Sequence, residues 1–266
     1  MKIGSQGRRS SAISTSNAEA IVVRGHDLCR DLIGRITFTD HAWLLVTGTL
    51  PSHAQRRILD ATLVAIAEHG LVPSVAASRM TLAAAPEALQ GAVAAGILGC
   101  GSVILGSAEA AARLFADIEA NHAAGTEAAA RAALQALHDA RQASPGYGHP
   151  LHKLRDPRVA CLLDAAKDAG TAGRHVEIAR VVETLLPAIT GKPLAMNVSG
   201  AIGAVLLDAG YPLLAVKGIP ILARTAGLIA HLLEERERPI GFMLADSGAA
   251  GISYDGPAPA GFVPEP

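Results

Sequence analysis

The chain has 266 residues, half of them hydrophobic but only 3% aromatic, with 23 Lys and Arg against 24 Asp and Glu. That length suits one large domain, or one with a small cap, and the near-neutral charge gives no reason to expect nucleic acid or a membrane surface as a partner. Cys29, Cys100 and Cys161 are too scattered for a disulfide framework or a zinc site and fit a reducing, cytoplasmic setting.

Residues 1–18 read as a polar lead-in, and no apolar run follows Arg8-Arg9, so no secretory signal is expected. The β-branched run Ala20–Gly25 predicts a short strand. Helices are expected over Asp27–Leu32 and Thr39–Thr47, then from an N-cap at Ser52 to His69, closed by Gly70. Further helices are expected over about Pro73–Ala84, Glu87–Leu98, Ser107–Asn121 and Glu127–Arg141. Ala88–Ala108 carries no charged residue and must be tested as a membrane span. Its five glycines and lack of an aromatic belt favour a core or interface helix broken near Gly99–Gly101.

Val159–Ala169 is the next expected helix. Ile178, Val181, Val182, Leu185, Leu186 and Ile189 then repeat by threes and fours on one helix face, before Gly191-Lys192-Pro193. Asn197 or Ser199 is placed to cap a helix running to Ala209, and a last helix starts near Pro220. Beyond Pro239, Gly and Pro predict an irregular tail. The expected fold is all-α with little strand.

Between two Ala-rich segments lies Pro145-Gly146-Tyr147-Gly148-His149-Pro150-Leu151-His152-Lys153-Leu154-Arg155-Asp156-Pro157-Arg158. Glycines allow sharp turns and close approach, prolines stiffen them, and three cations on one short loop suit an anionic ligand. Common catalytic patterns are missing. Gly99-Cys100-Gly101 has Ile104 where a dinucleotide fingerprint needs glycine, and neither a Walker A, a His-Glu-x-x-His nor a Gly-x-Ser-x-Gly pattern occurs. His149 and His152 alone make no metal site.

Gly-Tyr-Gly-His followed by Asp-Pro-Arg resembles the signature loop of the citrate synthase superfamily. Other segments match in order: Ile21–Gly25, Gly48-Thr49-Leu50-Pro51, Glu68-His69-Gly70, Asn197-Val198-Ser199-Gly200, Arg224–His231 and Arg238-Pro239. Within the superfamily the short chain and the Gly-Lys-Pro approach to Asn197 are most similar to citryl-CoA lyases and the lyase module of ATP-citrate lyase. The resemblance implies a helical large domain over residues 19–244, with a small helical cap around 145–240, a tail over 245–266, and a homodimer or even-numbered oligomer. It implies that His69, His149, Arg158 and Arg224 bind a dicarboxylate, and that Arg238 reaches the neighbouring subunit's site. Tyr147, Gly148, Lys153 and Lys192 fall on the coenzyme A side, and no metal is expected. His149 also serves as acid or base, since an imidazole titrates near ~6.5.

Two positions depart from the family. Its catalytic Asp is Ser199 here, and a second histidine position holds Ile104. A serine hydroxyl is a poor base without a partner, and Asp208 stands too far along the same helix to replace the carboxylate. Three readings follow: a lyase cleaving citryl-CoA or a related 3-hydroxyacyl-CoA to acetyl-CoA and oxaloacetate, a condensing citrate or methylcitrate synthase, or a dimer that binds CoA esters and dicarboxylates without turnover.

Overall fold

A computed structural model describes residues 10–149 and 154–262. It begins with a small antiparallel sheet of β1 (Ser14–Ser16), β2 (Ile21–Val23) and β3 (His26–Asp27). The expected strand is β2, in register Thr15 to Val22 and Val22 to Asp27 with its neighbours. The Asp27 carboxylate accepts from the Cys29 and Arg30 amides and starts a π-helical turn, Leu28–Leu32, in place of the expected α-helix. Next comes α1 (Phe38–Thr47), one residue earlier than expected, because Thr37 and Asp40 cap each other's backbone amides.

The remaining helices follow the reading closely: α2 (His53–Ala67), α3 (Pro73–Ala84), α4 (Leu89–Leu98), α5 (Ser107–Ala120), α6 (Thr126–Asp139), α7 (Pro157–Asp168), α8 (Arg174–Thr190), α9 (Val198–Asp208) and α10 (Gly218–Glu237). One more was not foreseen, α11 (Gly241–Ala250). Among the described residues the fold is all-α apart from three short strands. It divides into a larger unit, Met1–Ile66 with Leu105–Pro220, and a smaller one, Ala67–Ile104 with Ile221–Pro266. Residues 145–240, read as a cap, are thus split between the units.

In the larger unit α9 is the central element, buried from Val198 through Leu206 except at Ser199. It packs on α5, α7 and α8. A Cβ on Gly203 would stand 2.9 Å from the Ala112 amide nitrogen, so the α5 and α9 backbones meet there as only glycine allows. The apolar stripe of α8 is buried at Ile178, Val182, Leu185 and Leu186.

At the far end of α9 the Asp208 carboxylate accepts from the amides of Gly173, His175 and Val176, capping α8. His175 bridges it to α5, with Nδ1 2.8 Å from Asp208 and Nε2 2.9 Å from Glu119. The Asp208 hydrogen bond raises the imidazole pKa, burial opposes it, and the Asp208 and Glu119 charges add to the rise. A raised pKa gives stability that is complete below the ordinary value of 6.5 and fades as pH climbs through the folded value. His175→Gln is expected to cost about 1.5–3 kcal/mol in acid, the worth of hydrogen bonds to a charged group. The gap between wild-type and variant urea midpoints should narrow as pH rises past 6.5; a gap constant with pH rules the charge out.

In the smaller unit α3 packs on α4 and α11 on α3. A Cβ on Gly96 would lie 2.7 Å from a Leu228 methyl and 2.8 Å from the Ser74 carbonyl oxygen, so α4 sits tight against both. The uncharged stretch 88–108 is not one buried helix. Ala92 and Gly96 are buried, but α4 stops at Leu98, and Leu98 and Val103 are 85% and 87% exposed in the single chain. Gly99 ends the helix, and Val103 lies beyond it. Among the described residues the stretch long and apolar enough to cross a membrane is instead Leu213–Glu237, although Arg224 and Glu235 are buried on it.

The expectation of an irregular tail fails over α11. Both Glu235 carboxylate oxygens accept from the Ile240 amide, and one also takes the Gly241 amide at 2.8 Å. A carboxylate near the end of α10 thus caps a helix whose own sequence has no capping side chain.

Candidate active site

The loop ahead of His149 is fastened to the start of α9 in the larger unit. Gly148 donates to the Ala195 carbonyl (2.7 Å), Asn197 to the Gly146 carbonyl (2.9 Å), and the Asn197 side-chain amide to the Gly148 carbonyl (2.7 Å). Gly146 has φ +87°, and a Cβ there would lie 2.7 Å from the Gly200 Cα. A Cβ on Gly200 would in turn lie 2.6 Å from the Gly146 carbonyl oxygen. Both glycines are therefore required by one backbone crossing. Half-buried His149 follows directly on this anchored segment.

Of the two cap candidates Asn197 is the cap, its Oδ1 accepting from the Ser199 and Gly200 amides. Ser199, in the first turn of α9, instead accepts a hydrogen bond at 2.8 Å from the Ser107 hydroxyl at the start of α5. No sequence pattern pointed to Ser107, because the first position of a helix is an ordinary place for serine.

Asp156 ties the second half of the loop to the same helix. One oxygen accepts from the Arg158 amide (3.1 Å) and Nε (2.9 Å), and the other from the outer Arg158 guanidinium nitrogen (2.8 Å) and the Val198 amide (3.0 Å). Burial alone would raise the Asp156 pKa, but the Arg158 guanidinium and the Val198 amide outweigh it and hold the carboxyl below its ordinary range. Arg158 is thereby oriented as a fixed cation, its side chain 19% exposed. It lines a largely apolar cavity of about 480 Å³ between α2 and α7, with Asp60, Val64 and Cys161. A second cavity of about 360 Å³ has a more polar lining that includes Arg155, Asp156, Arg180 and Glu183.

The coenzyme A-side candidates fare unequally. Tyr147 is 7% exposed, its hydroxyl donates to the Ala179 carbonyl (2.6 Å), and its ring meets Phe115 edge-on. Burial, with the nearby Glu183 charge, pushes its pKa well above 10. Its hydroxyl is satisfied within the core, as a buried tyrosine requires. The amide and carbonyl of Gly148 are both engaged by the α9 approach. Lys192 is exposed, and Lys153 lies outside the described residues.

Three further candidates belong to the smaller unit. His69 is half-buried just past α2, beside a Glu68 carboxylate that accepts from the His69 and Gly70 amides and pairs with His231 at 3.1 Å. Arg224 is 3% exposed on α10. Arg238 is exposed, and its carbonyl accepts from Arg79 at 2.9 Å. Among the described residues no three His, Cys, Asp or Glu side chains are grouped to hold a metal ion.

The chain superposes on a citryl-CoA lyase from Hydrogenobacter thermophilus with TM-score 0.84 and 29% identity, covering 96% of this chain and 97% of that one. An ATP citrate lyase from Methanothrix soehngenii, solved with citrate and coenzyme A, shares the fold at TM-score 0.80 and 22% identity, over 96% of this chain and 43% of that one. By sequence, the citrate/2-methylcitrate synthase of Bacillus subtilis is 27% identical over 204 residues, 75% of this chain and 53% of its own. The chain thus spans about half the length of that curated relative. The model of the citrate synthase C-terminal domain matches residues 52–241, and the chain belongs to the citrate synthase family.

Proposed function

We propose that this protein is a carbon–carbon lyase cleaving citryl-CoA, or a close 3-hydroxyacyl-CoA, to acetyl-CoA and oxaloacetate. The observation that carries the reading is the match to a citryl-CoA lyase over nearly the full length of both chains, whereas the match to the synthase relative covers 53% of that protein.

In the cleavage direction His149 takes the proton of the C3 hydroxyl. The pair freed from the O–H bond forms the second bond of the ketone, the bond to the acyl methylene breaks, and its electrons pass to the thioester as an enolate. Protonation of that carbon returns the proton and completes acetyl-CoA. Arg158, held in position by its ion pair with Asp156, pairs with a carboxylate of the oxaloacetate half, for which a guanidinium fork is suited. Sequence order assigns carboxylate-binding roles to His69, Arg224 and Arg238 as well. Coenzyme A is proposed as part of the substrate, with Lys192 as its phosphate-side cation. Ser199 is proposed to occupy the position of the family's catalytic aspartate. It favours a second reading, a binding protein without turnover. The exposed Leu98 and Val103 fit the further proposal of a homodimer.

Incubation with citryl-CoA, with oxaloacetate and free acetyl-CoA followed separately, tests the first reading. Stoichiometric release of both products is expected. Tight binding of citryl-CoA with no product would replace it by the binding-only reading, and faster condensation than cleavage by the synthase reading.

A further inference from the structure

We propose that Ser107 and Ser199 form a neutral hydroxyl pair that donates a hydrogen bond to negative charge on the acyl end of the CoA ester, with Ser107 as the positioning residue and Ser199 as the donor. The inference deepens the proposed function and rests on it.

A hydroxyl carries one proton and two lone pairs. The Ser107 proton is directed to the Ser199 oxygen at 2.8 Å, which leaves the Ser199 proton available to a ligand. The amides around Ser199 are not: those of Ser199 and Gly200 go to Asn197, and that of Val198 goes to Asp156. The two described carboxylates that bond the backbone at the start of α9 are committed elsewhere. Asp156 is engaged by Arg158 and Val198, and the Glu183 carboxylate accepts from the Met196 amide at 2.7 Å. Neither serves as the partner base that a serine needs to act as nucleophile or base.

The backbone sets the separation of the pair. Gly203 brings α9 against the α5 backbone, and the Gly146–Gly200 crossing fixes the start of α9 from the other side. Two residues before Ser107, buried Leu105 holds φ +66°, a left-handed conformation that costs a leucine about 1–2 kcal/mol. Strain of this kind persists only where the surrounding structure imposes it, and here it lies in the turn that delivers Ser107 to Ser199.

Carboxymethyl-CoA, bound by a citrate synthase from Thermoplasma acidophilum in a solved ternary complex, is an anionic two-carbon analogue of the acyl end and serves as the probe. Calorimetry should show that it binds more tightly than coenzyme A itself. Ser199→Ala and Ser107→Ala should each cut that preference by about tenfold or more, the loss of a hydrogen bond to a charged group, while coenzyme A affinity holds. Ser107→Thr, which keeps the hydroxyl, should retain it. An undiminished preference in Ser107→Ala, with coenzyme A still bound, overturns the pair while leaving the lyase reading standing. Failure of the wild-type protein to bind either compound overturns both.

Discussion

Asp156→Ala is expected to destabilise the larger unit by about 3–5 kcal/mol, the usual cost of breaking a buried ion pair by removing one partner. The carboxylate is fully buried and serves three elements at once: it caps α7, orients Arg158, and receives the first amide of α9. Alanine leaves a half-buried guanidinium and a buried Val198 amide without their acceptor. Asp156→Asn should cost less, since an amide oxygen can still accept from Val198. The pH dependence has a defined sign. The folded pKa is depressed below the ordinary 3.8, so the contribution is complete above that value and lost as pH falls through the folded one. Chemical denaturation of wild type and variant should therefore differ most at neutral pH and converge in strong acid. A loss under about 1 kcal/mol would reduce the pair to the level of a surface salt bridge. On the role proposed for Arg158, oxaloacetate affinity should fall together with stability in Asp156→Ala, because Arg158 loses its fixed orientation.

Much of this site is legible in the chain because its parts are local. Gly-Tyr-Gly-His and Asp-Pro-Arg fall within one short run, Pro73 and Pro157 each open a helix at its first turn, and Asn197 caps its own helix. What stayed hidden depends on distant partners. Asp156 looks like a helix cap, and only the structure shows it receiving an amide 42 residues on. Ser107 meets Ser199 across 92 residues. Tyr147 stands between two glycines, as an exposed loop aromatic does, yet its hydroxyl ends on a carbonyl of α8. The helix α11 escaped for another reason, since its cap comes from Glu235 on the preceding helix and not from a capping side chain at its own start. Local propensity places helices well, but the polar groups that fasten one helix to another have no period to betray them.

The largest such fastening in the smaller unit gives the second expectation. Arg79 is almost fully buried on α3. Its Nε lies 2.6 Å from Glu235 and another nitrogen 2.7 Å from Glu234, and a third donates to the Arg238 carbonyl at 2.9 Å. Glu235, equally buried, goes on to cap α11. Burial would raise the Glu235 pKa, but the Arg79 hydrogen bond and the Ile240 and Gly241 amides overcome it and leave it lowered. The ion pair is therefore intact at neutral pH. Arg79→Met keeps most of the side-chain volume but strands a buried carboxylate, and should cost about 3–5 kcal/mol. Adding Glu235→Gln should restore part of that loss, because the amide oxygen still accepts from Ile240 or Gly241 and no charge is left buried. The coupling between the two substitutions is expected at about 1–3 kcal/mol in a double-mutant cycle. Hydrogen exchange locates the effect: the amides of α11 and the Arg238–Gly241 connection should lose protection first in Arg79→Met. Strictly additive losses, or α11 amides as protected as in wild type, would mean that the helix stands on its own packing. Arg238 would then owe nothing to Arg79 for its position.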